Sequence, residues 1–172
     1  MWRIIFIFFL ISVSAQAQQR FVKEVNTIAE LKQLNSADIN KSCSVKGWLT
    51  PNDGGGGLFT ADSNSTATPD TGIVIQPNNG VGRWTRSVAG REYHALWWGG
   101  TKTNSTLQAA INWVSANGGG WVIVDGGTWL VKSDDSTRIT MKSFVSLKTA
   151  ADTQIVCASS PADNWILIDF PL

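Results

Sequence analysis

The stretch Asn104 to Val131, NSTLQAAINWVSANGGGWVIVDGGTWLV, constrains the fold more than any other part of the chain. Leu107, Ala110, Ile111 and Val114 recur at helical spacing, which predicts an amphipathic helix over residues 104–117. The polar side chains of Asn104, Ser105 and Thr106 can cap its free N–H groups, and Gly118 to Gly120 stop it. Val122-Ile123-Val124 and Trp129-Leu130-Val131 follow at once, two short, very apolar runs separated by Asp125-Gly126-Gly127-Thr128. One helix is therefore delivered into a pair of strands.

Past the helix the apolar clusters recur. Val122-Ile123-Val124, Phe144-Val145-Ser146-Leu147 and Trp165-Ile166-Leu167-Ile168 are centred near Ile123, Val145 and Leu167, an even interval of about 22 residues and so a solenoid-length period. Arg138 to Met141 and Gln154 to Cys157 supply further short strands, with polar or small-residue turns between them. Several short strands per repeat suit a coil of parallel strands in which each turn covers the apolar face of the one before. β-Sandwich spacing would give a similar series; the fixed interval favours the coil.

Upstream, the chain reads as a smaller β-rich region. Thr27 and Glu30 form a T-x-x-E capping box ahead of Leu31 and Leu34, which predicts one short helix. Ser42 to Thr50 alternates as a strand until Pro51-Asn52-Asp53 and Gly54 to Gly57 break it. The glycine run lacks the Gly-Lys-Ser/Thr and the following helix that a phosphate loop needs, so it predicts a tight inter-strand loop with positive φ at several positions. Leu58 to Ala61, Gly72 to Gln76 and Arg83 to Val88 follow as strands, with Asn79-Gly80 as a type I′ turn pair. Asn64-Ser65-Thr66 and Asn104-Ser105-Thr106 match the glycosylation acceptor pattern.

Nine Trp against one Tyr, with sixteen Gly, is the composition of turn-rich β structure, so strand should exceed helix. The formal charge is +1 and Lys and Arg are scattered, which leaves no basic face for nucleic acid. His94 is the only histidine and neither cysteine has a partner at ligand spacing, so no metal or other cofactor is expected. At the N-terminus, MWRIIFIFFLISVSAQAQ combines Arg3, a short apolar run from Ile4 to Val13, and Ala15-Gln16-Ala17 as a cleavage site. This reads as a secretory signal peptide, because the run is about half the roughly 20 residues a membrane span needs. The mature chain would start at Gln18, without a stable span, in a secreted or periplasmic location. Export makes Cys43 and Cys157 a candidate disulfide, although two buried unpaired thiols fit equally well.

Three segments carry a resemblance: Trp97-Trp98-Gly99-Gly100, Leu107-Gln108-Ala109-Ala110-Ile111, and Gly119 to Val131, GGWVIVDGGTWLV. They resemble the N-terminal lead-in of the pectate-lyase-like superfamily, of rhamnogalacturonase and tailspike type. There a W-F-G-A-type segment precedes a helix of the L-Q-A-A-I kind, and G-G-x-V-x-V-P-x-G-x-Y opens a right-handed parallel β-helix. Ile139 to Thr149 is similar to the family's next segment, and Asp53 to Phe59 and Gly82 to Arg86 look like the small β-rich region before it. The resemblance spans Val25 to Leu172. The chain departs from the pattern at Thr101 to Thr106, shorter and acid-free where Asp-Gly-x-x-Asp-Asp is usual. It departs again at Asp125, where proline is common, and at Trp129, where tyrosine is.

The resemblance implies a mainly β fold: the capping part and first turns of a right-handed parallel β-helix, preceded by a small β-rich region and two short helices. Residues 1–17 would be the signal peptide, 18–89 the head, and 90–172 the start of the coil, which is expected to continue past Leu172. It also implies polysaccharide chemistry, by a lyase or a glycoside hydrolase. Elimination needs a base and a cation that stabilises the enolate-like intermediate, and hydrolysis needs two carboxyl groups about 5 to 9.5 Å apart. In the family these groups stand in mid-coil. Asp134-Asp135 is the one adjacent acid pair here, but strand neighbours point to opposite faces and the two read as solvated turn residues. Asp152, Asp163 and Asp169 lie in or beside turns. No catalytic residue is assigned. Trp97 and Trp98, beside two glycines, are the candidate sugar-stacking platform, although strand alternation would turn one ring into the core. The expected function is the N-terminal portion of an exported protein that binds and cleaves an extracellular polysaccharide. A non-catalytic adhesin or a tailspike-like glycan-binding homotrimer is the alternative.

Overall fold

The computed structural model describes residues 23–35, 42–132, 138–158 and 168–169. The expected signal peptide, residues 1–17, lies outside the described residues, as do Asp134, Asp135 and Asp163. What is described is mainly β with few helices.

The N-terminal part is a five-stranded sheet. Strands β1 (Lys23–Val25), β2 (Ser42–Val45), β3 (Gly57–Asp62), β4 (Val74–Ile75) and β5 (Arg83–Arg86) lie in the order β1-β2-β3-β5-β4. β1 runs parallel to β2, and the other pairings are antiparallel. Period-2 alternation sends Cys43, Val45, Phe59, Ala61, Ile75 and Trp84 to one face, where helix α1 (Ile28–Gln33) covers them with Ile28 and Leu31. The forward half of the capping box forms, Glu30 N donating to Thr27 Oγ1 at 3.2 Å, and the return bond falls one residue before the cap, where Glu30 Oε2 accepts from Asn26 N at 2.8 Å. β2 ends at Val45, well short of Thr50, because the next N–H groups, Lys46 and Gly47, turn back to the carbonyls of Val25 and Asn26. Asn79-Gly80 does not make the mirror-image turn. Only Gly80 of the pair has positive φ (77°), and its N–H closes a four-residue turn on the Pro77 carbonyl at 3.0 Å.

Helix α2 (Asn104–Ala116) forms where the apolar spacing places it, and Leu107, Ala110, Ile111 and Val114 are all buried. Its N-cap is Thr103 rather than one of the three polar residues after it. Asn104 is only 7% exposed, which closes that acceptor pattern to a glycan.

Around α2 the strands are laid down in order and then covered in the same order. β6 (Glu92–His94), β7 (Gly120–Val124), β8 (Gly127–Lys132) and β9 (Ile139–Thr140) are followed by β10 (Val145–Thr149), β11 (Thr153–Ala158) and β12 (Ile168–Asp169). β10 pairs with β7, β11 with β8 and β12 with β9, all parallel, while β6 pairs with β7 from the other side. The return distance is longer than the even interval between apolar clusters, and it is not constant. Gly120 faces Val145, Gly127 faces Thr153 and Ile139 faces Ile168, offsets of 25, 26 and 29. The even interval arose because cluster centres are not register partners: Ile123 faces Lys148 and not Val145, and the third apolar cluster ends in β12, which lies on β9 and not on β10. Inward residues Val122, Val124, Trp129, Val131, Ile139 and Met141 meet the apolar face of α2 in a single core. Each such fully buried side chain stabilises the fold by roughly 1.5–3 kcal/mol.

Cys43 is a free thiol, buried in the core of the five-stranded sheet, so the candidate bridge to Cys157 is not made. The reason is placement: Cys43 lies in the core beneath the five-stranded sheet, and the Cys157 backbone lies on β11 opposite Val131. Burial pushes the Cys43 thiol pKa up, against a smaller downward pull from Lys23. Among the described residues no helix is long and apolar enough to cross a membrane.

Candidate functional site

Trp97 and Trp98 lie on a 3-10 turn (Ala95–Trp98), not on a strand, so alternation does not separate their rings. Both turn towards the core. Trp98 is 8% exposed, its ring centroid 5.5 Å from that of Trp113, and a Cβ on Gly72 would collide with its indole. Trp97 is half-buried, with Tyr93 edge-on at 6.5 Å and the Arg86 guanidinium 4.6 Å from its centroid. These indoles join the five-stranded sheet to the core around helix α2, and their faces are taken by neighbours within the chain.

Arg86 is the other half of that joint. It follows Trp84 by two on β5, so it points inward and is 3% exposed. Its guanidinium donates to the carbonyls of Gly72 (2.7 Å), Gly55 (2.9 Å) and Gly56, and lies 4.5 Å from the Phe59 ring centroid. Burial pushes its pKa down to about 9, partly countered by the Asp70 carboxylate, so it remains a cation at neutral pH. Asp53 organises the same glycine loop. Its carboxylate accepts from the N–H groups of Trp48 (2.8 Å), Leu49 (2.7 Å), Thr50 (3.0 Å) and Gly55 (2.8 Å). Partial burial works to raise its pKa, but these four donors outweigh it and hold the carboxyl below its ordinary value. The loop turns at Gly54, whose φ is 88°. Its backbone is consumed by Arg86 and Asp53, as a structural joint and not a phosphate cradle.

Two corners of the β6-β7-β10 ladder remain. At the strand ends, His94 Nδ1 meets Asp125 Oδ1 at 2.5 Å, and the Asp125 carbonyl accepts from the Trp129 indole N–H at 2.7 Å. The Trp97 ring lies 5.3 Å from the imidazole, and Lys102 Nζ donates to the Gly126 carbonyl. The His94 side chain is 43% exposed and that of Asp125 18%. A carboxylate on Nδ1 fixes the imidazole's orientation, which is half of what a general base requires. Asp152, with its backbone at this end, accepts from Gly127 N through its carbonyl at 3.2 Å. Local spacing could not find His94 with Asp125, because the two lie far apart in the chain and meet only across the β6-β7 pairing. The signal available was that Asp125 and Trp129 both depart from the family pattern, and the two are bonded to each other.

At the strand starts, Arg91, Gly118, Gly119, Gly120, Trp121, Phe144, Val145 and Ser146 line an open groove of about 460 Å³. Trp121 is 48% exposed and Phe144 84%. Among the described residues no three His, Cys, Asp or Glu side chains come together to hold a metal ion.

A family model described as a phage tail protein small four-stranded β-sheet domain matches residues 24–89. Three solved structures share the fold more widely. The tailspike protein gp49 of Acinetobacter baumannii bacteriophage Fri1, a capsular polysaccharide depolymerase, aligns with a TM-score of 0.62 at 21% identity over 74% of this chain and 23% of its own. The enzymatically active domain of bacteriophage CBA120 tailspike protein 4 aligns at 0.64 and 21% over 87% of this chain and 20% of its own. Pantoea stewartii WceF, a glycan biofilm modifying enzyme with a tailspike-like parallel β-helix fold, aligns at 0.61 and 19% over 80% and 22%. This chain shares its fold with part of each of these three structures. It spans about a fifth of their length. No curated protein matches it.

Proposed function

We propose that this chain is the N-terminal portion of an exported, pectate-lyase-like protein whose right-handed parallel β-helix binds and cleaves an extracellular polysaccharide. The observation that carries this reading is the in-order covering of β7, β8 and β9 by β10, β11 and β12, all parallel, with α2 closing one end of their core. Each new turn offers outward side chains above those of the turn before, the arrangement in which two carboxyl groups can straddle a glycosidic bond. The acids that would do so belong to later turns of a longer coil. His94 and Asp125 are assigned the cap, where the pair ties β6 to the end of β7.

Export is part of the proposal and rests on the leader sequence. WceF, a Pantoea stewartii protein with a tailspike-like fold, supports it, because such a coil is then not confined to phage particles. N-terminal sequencing of the exported protein should read from Gln18; a chain retaining Met1 on a virion would sink the export reading. The protein from the complete reading frame should release reducing ends, or unsaturated uronates, from at least one polysaccharide in a broad capsular and exopolysaccharide panel. Binding without cleavage across that panel would leave the adhesin reading in its place.

A further inference from the structure

We propose that Asn64 is the acceptor for an N-linked oligosaccharide, added to the exposed turn after β3 by an asparagine transferase of the bacterial type. The proposal rests on the export reading above, because such transfer takes place outside the cytoplasm. It is independent of what the coil binds or cleaves.

The sequence holds two copies of one acceptor pattern, Asn64-Ser65-Thr66 and Asn104-Ser105-Thr106, and cannot choose between them. The fold does. Asn104 opens helix α2 and is 7% exposed, and Thr106, whose hydroxyl the pattern needs, is 3% exposed. Offering that asparagine to an enzyme would unwind the first turn of α2 and lift Leu107 out of the core. Asn64 stands in a turn, Thr66 lies just beyond it, and both are exposed. Residues 65–70 belong to no helix or strand. Among the described residues nothing bonds to the Asn64 carboxamide or the Thr66 hydroxyl. Lifting this turn would break Asn64 N to Asp62 Oδ1 (2.9 Å), Ser65 N to the Asp62 carbonyl (3.4 Å) and Ala67 N to Ser65 Oγ (3.4 Å). Water replaces such bonds at an exposed site, and no core residue moves.

Charge selects the same copy. Two residues before Asn64 stands Asp62, which is exposed, whereas two before Asn104 stands Lys102, tied to the Gly126 carbonyl. Bacterial transferases of this class read an acid at that position, and a lysine there opposes the match. The turn also lies away from where the coil would grow. β3 starts at Gly57, beside the Arg86 guanidinium, and ends at Asp62, roughly 17 Å further on at about 3.3 Å per residue. Later turns of the proposed coil would add beyond β10, at the opposite edge of its ladder from β6, the strand that follows the five-stranded sheet in the chain.

The transfer needs one co-reactant, an oligosaccharide carried on a polyprenyl diphosphate. Asn64 Nδ2 attacks the anomeric carbon, the N–C bond forms, and the C–O bond to the diphosphate breaks with its electron pair leaving on the diphosphate. One amide proton passes to water, and nothing is oxidised or reduced.

The test incubates the purified, folded full chain with a purified bacterial oligosaccharyltransferase and a polyprenyl-diphosphate oligosaccharide, read by mass spectrometry after digestion. The peptide holding Asn64 should gain the mass of one oligosaccharide, and the peptide holding Asn104 none. Asn64→Gln should abolish the gain, Thr66→Ala should lower it by about tenfold or more, and Thr66→Ser should retain most of it. A synthetic peptide of residues 60–69 gives the rate for the unfolded acceptor, and the folded chain should come within about tenfold of it. Modification of the peptide but not of the folded chain would overturn the site. So would modification of neither, or a glycan on Asn104 in place of Asn64. Because the reaction uses purified protein, it can fail while the exported protein still reads from Gln18, or succeed while it does not, so the site and the export reading are refuted separately.

Discussion

Replacing Arg86 by Met should cost about 3 kcal/mol of stability, and the reasoning comes from what the side chain leaves behind. Arg86 donates to three loop carbonyls, those of Gly55, Gly56 and Gly72, in a position 3% exposed to solvent. Each orphaned buried acceptor costs about 1–3 kcal/mol, and two cation–π contacts, over Phe59 and Trp97, add about 0.5–2 kcal/mol each. Against this stands the relief of a buried charge, whose desolvation the lowered pKa of about 9 records. The carbonyls remain unpaired when an apolar residue replaces Arg86, so the loss exceeds the relief. For a chain of this size the melting temperature should fall by roughly 6–12 °C, read by circular dichroism with the parent as reference. Arg86→Lys should recover less than half, since one ammonium cannot span three carbonyls in a fork. A melting temperature for Arg86→Met within about 2 °C of the parent would refute the claim that this guanidinium ties the sheet to the cap.

Other perturbations follow from the same geometry. Asp53→Ala should destabilise by about 2 kcal/mol by freeing four backbone donors, measured by urea titration. Because the folded pKa of Asp53 lies below its ordinary 3.8, its contribution is complete above that value and fades as pH falls through the lower folded one. Acid titration of parent and variant should therefore converge only at strongly acidic pH, and convergence already near neutral pH would contradict the assignment. Phe144→Gly should stabilise the chain by roughly 0.5–1 kcal/mol, since relief at φ 64° outweighs the entropy of glycine; a loss of stability would mean the ring is seated on something. Gly72→Ala should cost about 1–3 kcal/mol, because the new methyl would press on the Trp98 indole, and a neutral result would show that indole to be mobile.

How much of this was legible in the chain depends on range. Helix α2 was, because four apolar side chains at i, i+3, i+4 and i+7 leave one solution for which face is buried. The α1 cap was legible for the same reason, since Thr27 and Glu30 meet within a single helical turn. The spacing between paired parallel strands was not. Apolar clusters mark where strands are, but register is set by which residues face one another, and the residues opposite Val122 and Ile123 are Leu147 and Lys148, at and past the end of the apolar run. Trp97 and Trp98 were misplaced because two adjacent tryptophans suit a strand, whereas here Gly99 and Gly100 follow a 3-10 turn that carries both rings inward. Arg86 was invisible as a core residue. Nothing in RWTR says that the second arginine points inward until Phe59 and the glycine carbonyls are known to lie there.

The two corners of the β6-β7-β10 ladder show why the departures from the family pattern and the groove have different meanings. Asp125 spends its carbonyl on Trp129 and one carboxylate oxygen on His94, and Trp129 is wholly buried. The residues at the strand ends thus bond to one another, while Asp125 Oδ2 is buried with no hydrogen-bond partner among the described residues. At the strand starts Phe144 holds a left-handed φ and is 84% exposed, and it precedes β10, the outer strand of the ladder, on which a further turn of the proposed coil would lie. Selection for stability alone would favour glycine or asparagine at residue 144, since both adopt positive φ at lower cost. The strand ends, where His94, Asp125 and Trp129 bond across β6, β7 and β8, are where the fold holds itself together.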